Sequence, residues 1–300
     1  MYQAHRLILH LILMVRVQYA SDIHLEFRPS KFRRILKPSA EILILAGDIG
    51  HPFRRTYYQF LRWCSMKFKH VVLIPGNHEY YGSSLKKARR KLKQLSKATG
   101  VTILDRDVLE LPEYNLVILG TTLWSYIPPE NSFEVLMGIN DYQCIEDFDL
   151  TTGNTLYLEN RNWLRQTIKF YREMNPEYQI VVATHHAPVP EITSAPIYRG
   201  KPKNCAFASD CTDVMEGVDV WIFGHTHYNT TFPHTLPNGE SVTVTSNQRG
   251  YAREDTGYRK DQYITLNEAS VELTDSSDLM ESIQSQGTLD PADQTSSKPY

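Results

Sequence analysis

Several things are scarce in this 300-residue chain. It has four cysteines, Cys64, Cys144, Cys205 and Cys211, with no CxxC spacing; this excludes a zinc knuckle and a disulfide scaffold and favours a reducing, cytoplasmic setting. Long apolar runs are missing: the stretch from Leu7 to Val15 is too short to span a bilayer and is interrupted by His10, so no membrane partner is expected. An excess of either charge is missing too, the formal net charge being -2, so nothing general draws the chain to nucleic acid. No internal repeat is visible. With 41% of residues hydrophobic, one large α/β domain or two small ones would fit. The Asn229-Thr230-Thr231 sequon is the one feature compatible with secretion, and such triplets are common by chance.

Short apolar runs, by contrast, are plentiful. Val15 to Ala20, Ile42 to Ala46, Val71 to Ile74, Val117 to Leu119, Ile180 to Ala183 and Val220 to Phe223 are of strand length, mostly rich in Val and Ile, and end in Gly, Pro, Ser or Thr. That suits strands of a sheet covered on both faces. Helical spacing of apolar residues runs over Phe53 to Phe68, Ser84 to Ala98 and Thr155 to Arg172, with Ser84 and Thr155 as caps. Strands alternating with helices predict an α/β architecture with a largely parallel sheet. From Thr230 onward the strands become shorter and alternating, Thr230 to His234, Ser241 to Thr245 and Gln262 to Leu266, with a turn at Pro237-Asn238-Gly239, which predicts an antiparallel second layer. Met14 opens what reads as a complete first strand, so residues 1–13 are expected to be a dispensable extension to a domain spanning 14–268. Residues 269–300, rich in Ser, Asp, Gln and Thr, are expected to be a disordered tail.

Five motifs rich in Asp, His or Asn fall at the ends of the apolar runs. They are Asp22-Ile23-His24, Gly47-Asp48-Ile49-Gly50, Gly76-Asn77-His78-Glu79, Thr184-His185-His186 and Gly224-His225-Thr226-His227. Ligands in α/β folds bind beyond the carboxyl ends of strands, so all five can converge on one sheet edge. Carboxylates, imidazoles and an amide oxygen suit divalent metals of intermediate hardness, and the groups are too many for one tetrahedral ion. Asp48, followed closely by glycine, is the candidate bridge between two ions. Asp22 and His24 sit two apart, so on an extended segment they point the same way. His225 and His227 share that spacing and converge on one site or divide between two. His78, beside a ligand, is the candidate for donating a proton to a leaving alkoxide.

The ordered series DxH, GDxG, GNHE, H and GHTH resembles the calcineurin-like metallophosphoesterase superfamily, from about Val15 to Leu266. The resemblance implies a four-layer α/β sandwich of two mixed β-sheets flanked by helices, with a dimetal site at one end. It implies that Asp22, His24, Asp48 and His227 hold one divalent ion and Asp48, Asn77, His185 and His225 the other, with Mn, Fe or Zn as the metals. His78 matches the family's catalytic histidine. Either member of the His185-His186 pair could be the ligand; His185 follows the strand directly, which leaves His186 to face the substrate. The protein Ser/Thr phosphatase branch carries GDxVDRG and RGNHE, and this chain lacks both arginines, which argues against phosphoprotein substrates.

The reaction expected is hydrolysis of a phosphomonoester or phosphodiester by a metal-bridging hydroxide, on a small phosphorylated substrate such as a nucleotide. The alternatives are a nuclease acting on RNA or DNA and a non-catalytic protein-binding scaffold of the same fold. No expected ligand is missing, which opposes the scaffold. Arg249, after a strand, is a further candidate for gripping phosphate, against a polar turn that merely ends the strand. Glu79 is read either as orienting a neighbouring ligand or as capping a helix. The basic run Lys86, Lys87, Arg89, Arg90, Lys91 and Lys93 reads more readily as a solvated helix face than as a nucleic-acid patch. Tyr80, Tyr81, Trp124 and Tyr126 could stack on a substrate ring or simply pack in the core. The loops Gly120 to Thr155 and Ala187 to Ala206 are expected to wall the pocket.

Overall fold

A computed structural model describes residues 10–27 and 31–272. The strands are β1 (His10–Ala20), β2 (Ile42–Ala46), β3 (His70–Ile74), β4 (Ser83–Ser84), β5 (Thr102–Ile103), β6 (Asp107–Leu111), β7 (Leu116–Thr121), β8 (Ile145–Glu146), β9 (Gln179–Thr184), β10 (Val220–Phe223), β11 (Thr231–Thr235), β12 (Ser241–Ser246) and β13 (Tyr263–Glu272). The helices are α1 (Arg55–Ser65), α2 (Leu85–Thr99), α3 (Ser132–Gly138), α4 (Asp141–Cys144), α5 (Leu150–Met174) and α6 (Pro190–Thr193).

Two mixed sheets form, in the orders β13-β1-β2-β3-β5 and β11-β12-β10-β9-β7-β6, beside a small pair β4-β8. Side chains alternate across each strand and so divide among three cores. Ile42, Ile44 and Ala46 of β2 meet Val181 and Ala183 of β9 and Ile222 of β10 between the sheets. Leu43 and Leu45 point the other way, to Tyr57, Phe60 and Leu61 of α1 and Leu92 and Leu95 of α2. Ile180, Val182, Trp221 and Phe223 cover the outer face of the second sheet against Leu156, Leu164, Ile168 and Tyr171 of α5. The result is four layers, helix, sheet, sheet and helix. Each fully buried aliphatic side chain in them contributes roughly 1.5–3 kcal/mol, which is what holds the strand ends in register.

The expected strands are present, with instructive differences. The late strands do not make a layer of their own. β11 and β12 are antiparallel to each other, but β12 runs parallel beside β10, and β13 pairs antiparallel with β1 in the other sheet. Alternation shows which face a strand buries, not which sheet it joins. β1 starts earlier than its apolar pattern, because His10 pairs with Glu272 through the backbone ladder. The boundary placed after residue 13 therefore falls inside β1, and β13 runs past Ala269; residues 1–9 and 273–300 lie outside the described residues. Ser84 caps α2, its hydroxyl accepting the Lys87 N–H. Thr155 does not cap α5; the helix begins five residues earlier and Asp149 accepts the Thr152 N–H. Among the described residues, no helix is long and apolar enough to cross a membrane.

Candidate metal centre

Every expected ligand lies where a strand stops. Asp22 and His24 follow β1, Asp48 follows β2, Asn77 follows β3, His185 follows β9, and His225 and His227 follow β10. β1, β2 and β3 belong to one sheet and β9 and β10 to the other, so the site is the seam between the sheets at their common carboxyl edge. The DxH pair does not converge by lying extended. Asp22, His24, Asp48, His225 and His227 all have left-handed backbones, with φ of 52°, 50°, 53°, 70° and 50°. Non-glycine residues hold this conformation at a cost, and such strain gathers at functional sites. Neighbouring glycines are required by crowding: a Cβ on Gly76 would stand 2.2 Å from Asp48 Oδ1, and one on Gly47 2.3 Å from His185 Nδ1.

The atoms facing inward are lone-pair donors. His185 Nδ1 donates to the Ala46 carbonyl at 2.9 Å, so it is Nε2 that the ring turns toward Asn77 Oδ1 at 3.0 Å and Asp48 Oδ1 at 3.3 Å. Asn77 is aimed the same way, its Nδ2 donating to Asp141 Oδ1 at 2.7 Å and to the Tyr81 hydroxyl at 3.1 Å. His225 is buried between His186 and Phe207, ring centroids 4.2 and 4.8 Å away. Its Nε2 has no hydrogen-bond partner, and one ligand atom each of Asp48, His185 and His225 lies within 4.8 Å of the others. Burial first, and His185 next, hold His225 well below the ordinary imidazole range, so its ring stays neutral.

The second cluster is built alike. His24 Nδ1 lies 3.1 Å from Glu26 and His227 Nδ1 2.6 Å from Glu254. Carboxylates only accept, so both rings carry their proton on Nδ1 and face each other through Nε2 at 3.1 Å. His227 Nε2 is also 3.3 Å from Asp22 Oδ1. Two lone pairs at that separation repel unless a positive charge lies between them, and the chain's response to protons shows the same demand. Burial alone would lower the pKa of His227, yet Asp22 and Glu254 lift it to about 10. For His185, Asp48 outweighs burial and lifts it to about 9. Burial would raise Asp48, but His185 and His78 hold it well below the usual carboxylate range. Oxygen and imidazole donors converging from two sides, with the carboxylate of Asp48 near both groups, fit divalent cations.

His78 stands beside the site. Its backbone N–H donates to Asp48 Oδ1 at 3.0 Å, its Nδ1 lies 3.0 Å from Glu26, and its Nε2 lies 3.7 Å from Asp48 Oδ2. Burial pulls its pKa down, but Asp48 and Glu26 overcome this and raise it to about 9. Glu79 neither touches a ligand side chain nor caps a helix. Fully buried, it accepts backbone N–H groups of Gly76, Asp48, Ile49 and Gly50 at 2.7–3.3 Å and the Tyr57 hydroxyl at 3.2 Å, tying the GDIG turn to the GNHE turn. Burial and the charge of Asp48 raise its pKa to about 8.

The other candidates fall to varied places. His186 is buried, with Nδ1 2.8 Å from Ser125 Oγ and Nε2 lacking a hydrogen-bond partner. Arg249 donates from its guanidinium to the Ile23 carbonyl at 3.0 Å, joining the loop after β12 to the DIH turn. Tyr80 and Trp124 are core residues, whereas Tyr81 stacks on His78 at 4.3 Å. In the basic run, Lys87 pairs with Glu146 and Arg89 with Asp105, both at 2.8 Å. The sequon's Asn229 donates its amide to the carbonyls of Gln248 and Thr256. Sequence reasoning missed Glu26, Asp141 and Glu254. Glu26 alone had a signal, as the next acidic residue after His24 in the same turn.

Two mixed sheets thus bring carboxylates and imidazoles together at their shared edge, in groups that could hold metal ions. A family model described as calcineurin-like phosphoesterase matches residues 15–229, and the chain belongs to that family of hydrolases. An uncharacterized protein of Acanthamoeba polyphaga mimivirus is 27% identical over 282 residues, covering 85% of this chain and 98% of the viral one. The crystal structure of a phosphopantetheinyl hydrolase from Mycobacterium tuberculosis superposes with a TM-score of 0.62 at 17% identity, over 79% of this chain and 90% of that one. At that identity the likeness shows the fold alone.

Proposed function

We propose that this chain is a two-metal phosphoesterase that hydrolyses a phosphomonoester or phosphodiester of a small molecule in the cytoplasm. Asp22, His24, Asp48 and His227 would hold one ion, and Asp48, Asn77, His185 and His225 the other. Two such ions, when bound, polarise a phosphoryl oxygen and acidify a water. The protein's own part is orientation and proton transfer. Glu26 accepts a hydrogen bond from the Nδ1–H of His78, so in the imidazolium the other N–H, at Nε2, is the one that points toward Asp48. That Nε2–H is placed to protonate a departing alkoxide. Asp141 and Glu79 fix Asn77 and the Asp48 main chain.

The observation that carries this reading is the convergence of Asn77 Oδ1 and Asp48 Oδ1 on His185 Nε2, at 3.0 and 3.3 Å, with the Nδ1–H of His185 and the Nδ2–H of Asn77 turned outward. The nuclease alternative gains no support from α2, where Lys87 and Arg89 are already paired with acids. The test is turnover of p-nitrophenyl and bis-p-nitrophenyl phosphate by the purified chain with Mn²⁺. Metal-stimulated hydrolysis, reduced at least about 100-fold by Asp48→Asn, is expected, on the scale of losing a transition-state interaction. Turnover that ignores added metal, or that survives Asp48→Asn, would overturn the proposal.

A further inference from the structure

Beside His78, two aromatic side chains are left open to solvent. Phe27, at the end of the DIHLE turn, is 65% exposed, and Tyr251 is 41% exposed, although Ile23, His24 and Leu25 between them and the core are buried. Their rings lie 5.8 Å apart at 73° and form two walls of a corner. Tyr251 is fixed in place. One face lies 4.5 Å from His24, its edge meets His227 at 4.6 Å, and its hydroxyl is 3.4 Å from His78 Nε2. Its backbone N–H donates to Glu254 at 2.7 Å, the same carboxylate that holds His227. Gly250, with φ of 70°, makes the turn that presents it, and a Cβ there would stand 2.6 Å from Glu254. Phe27 meets His24 and His78 at 5.9 Å.

We propose that the Phe27–Tyr251 corner is a subsite for a flat aromatic ring carried by the leaving alcohol of the substrate. This rests on the phosphoesterase reading and adds the chemical class of the group released. A planar ring laid on one wall presents its edge to the other, so stacked and edge-to-face contacts form together. A puckered ring of equal size makes neither. The corner lies on the His78 side, where Tyr251 touches His78 Nε2, so it receives the alcohol that His78 protonates. Glu26 and Glu254 are bonded to His24, His78 and His227, so the two aromatic rings themselves make the walls, which suits an uncharged ring.

The test pairs benzyl with cyclohexylmethyl, which match in size and differ in planarity. On the Mn²⁺-loaded protein, calorimetry with benzylphosphonate and cyclohexylmethylphosphonate gives a binding ratio that needs no turnover. Hydrolysis of the corresponding phosphate monoesters and methyl diesters gives the kcat/KM ratio. About five- to tenfold preference for the planar ring is expected, the size of an aromatic contact. Phe27→Ala, at an exposed position, is expected to abolish the preference by lowering the benzyl values more than the cyclohexylmethyl values, and Phe27→Trp to keep it. A binding ratio near one in the wild type, or equal losses for both rings in Phe27→Ala, overturns the subsite. Planar-selective binding without hydrolysis supports the subsite and overturns the phosphoesterase reading instead.

Discussion

Glu79→Ala is the perturbation whose cost is most directly set by geometry. The carboxylate is fully buried and serves four backbone N–H groups and one phenol, at 2.7–3.3 Å. Alanine leaves these donors buried without their acceptor. Leaving a buried donor without an acceptor costs about 1–3 kcal/mol, and the relief of desolvation when the Glu79 carboxyl is removed offsets part of the sum. The expected loss is about 4 kcal/mol, which in a domain of this size lowers the melting temperature by about 8–16 °C. Glu79→Gln keeps one accepting oxygen but turns an amide NH₂ toward the other N–H groups, and about half of that loss is expected. Chemical and thermal denaturation with chelator present measure both without masking by metal. A fall in Tm under about 3 °C for Glu79→Ala would refute the reasoning, since the turns would then be held by something other than this carboxylate.

Two further outcomes follow from the same contacts. In metal-stripped protein, NMR titration of His78 is expected to give a pKa near 9 that falls toward the ordinary value in Glu26→Gln; because the folded value lies above 6.5, the stabilisation is complete below pH 6.5 and is lost as pH rises through 9. An unchanged titration in Glu26→Gln would show that Asp48 alone sets it. Removing divalent metal with a chelator is expected to lower Tm, because a ligand at a thousand times its Kd stabilises by about 4 kcal/mol, and calorimetry showing equal Tm with and without Mn²⁺ would oppose the metal reading.

The strands that carry the site were legible because parallel strands buried on both faces read as unbroken apolar runs, as Ile42–Ala46 does. β6 was not, since Asp107–Leu111 is an edge strand with only Leu111 buried. The groups proposed to bind metal were legible because coordination chemistry restricts residue type, and the motifs mark the ends of those runs. Their supports were not. Asp141 reaches Asn77 from the short helix α4, 64 residues along the chain, and Glu254 reaches His227 from an irregular loop; an isolated acid in a loop has no pattern to distinguish it from a solvated one. The preference for His185 over His186 rested only on its place directly after the strand. Rotation at the strand end turns His185 to Ala46 and Asn77 and His186 to Ser125.

The extended reading of Asp22 and His24 failed for a reason that explains how the site is built. Period-two geometry would set both side chains on one face of a continuing strand, but a continuing strand would carry them past the seam between the sheets. A left-handed residue reverses the chain at the strand end and returns the side chain over the edge. Each such conformation costs about 1–3 kcal/mol, and with five of them the sum rivals the roughly 5–15 kcal/mol by which whole domains are stable. Side chain to backbone hydrogen bonds must therefore hold the turns, and they do: Asp22 accepts the His225 N–H at 3.1 Å, Asp48 accepts the His78 N–H at 3.0 Å, Gln248 accepts the His227 N–H at 2.5 Å, and Glu79 accepts the Asp48 N–H at 2.9 Å. Asp22 and Asp48, two of the groups expected to bind metal, are thus also acceptors that fix backbones of the site, Asp22 that of a second expected ligand, His225. Substituting one ligand should disturb a second, so the effects of ligand substitutions on metal affinity are coupled rather than additive.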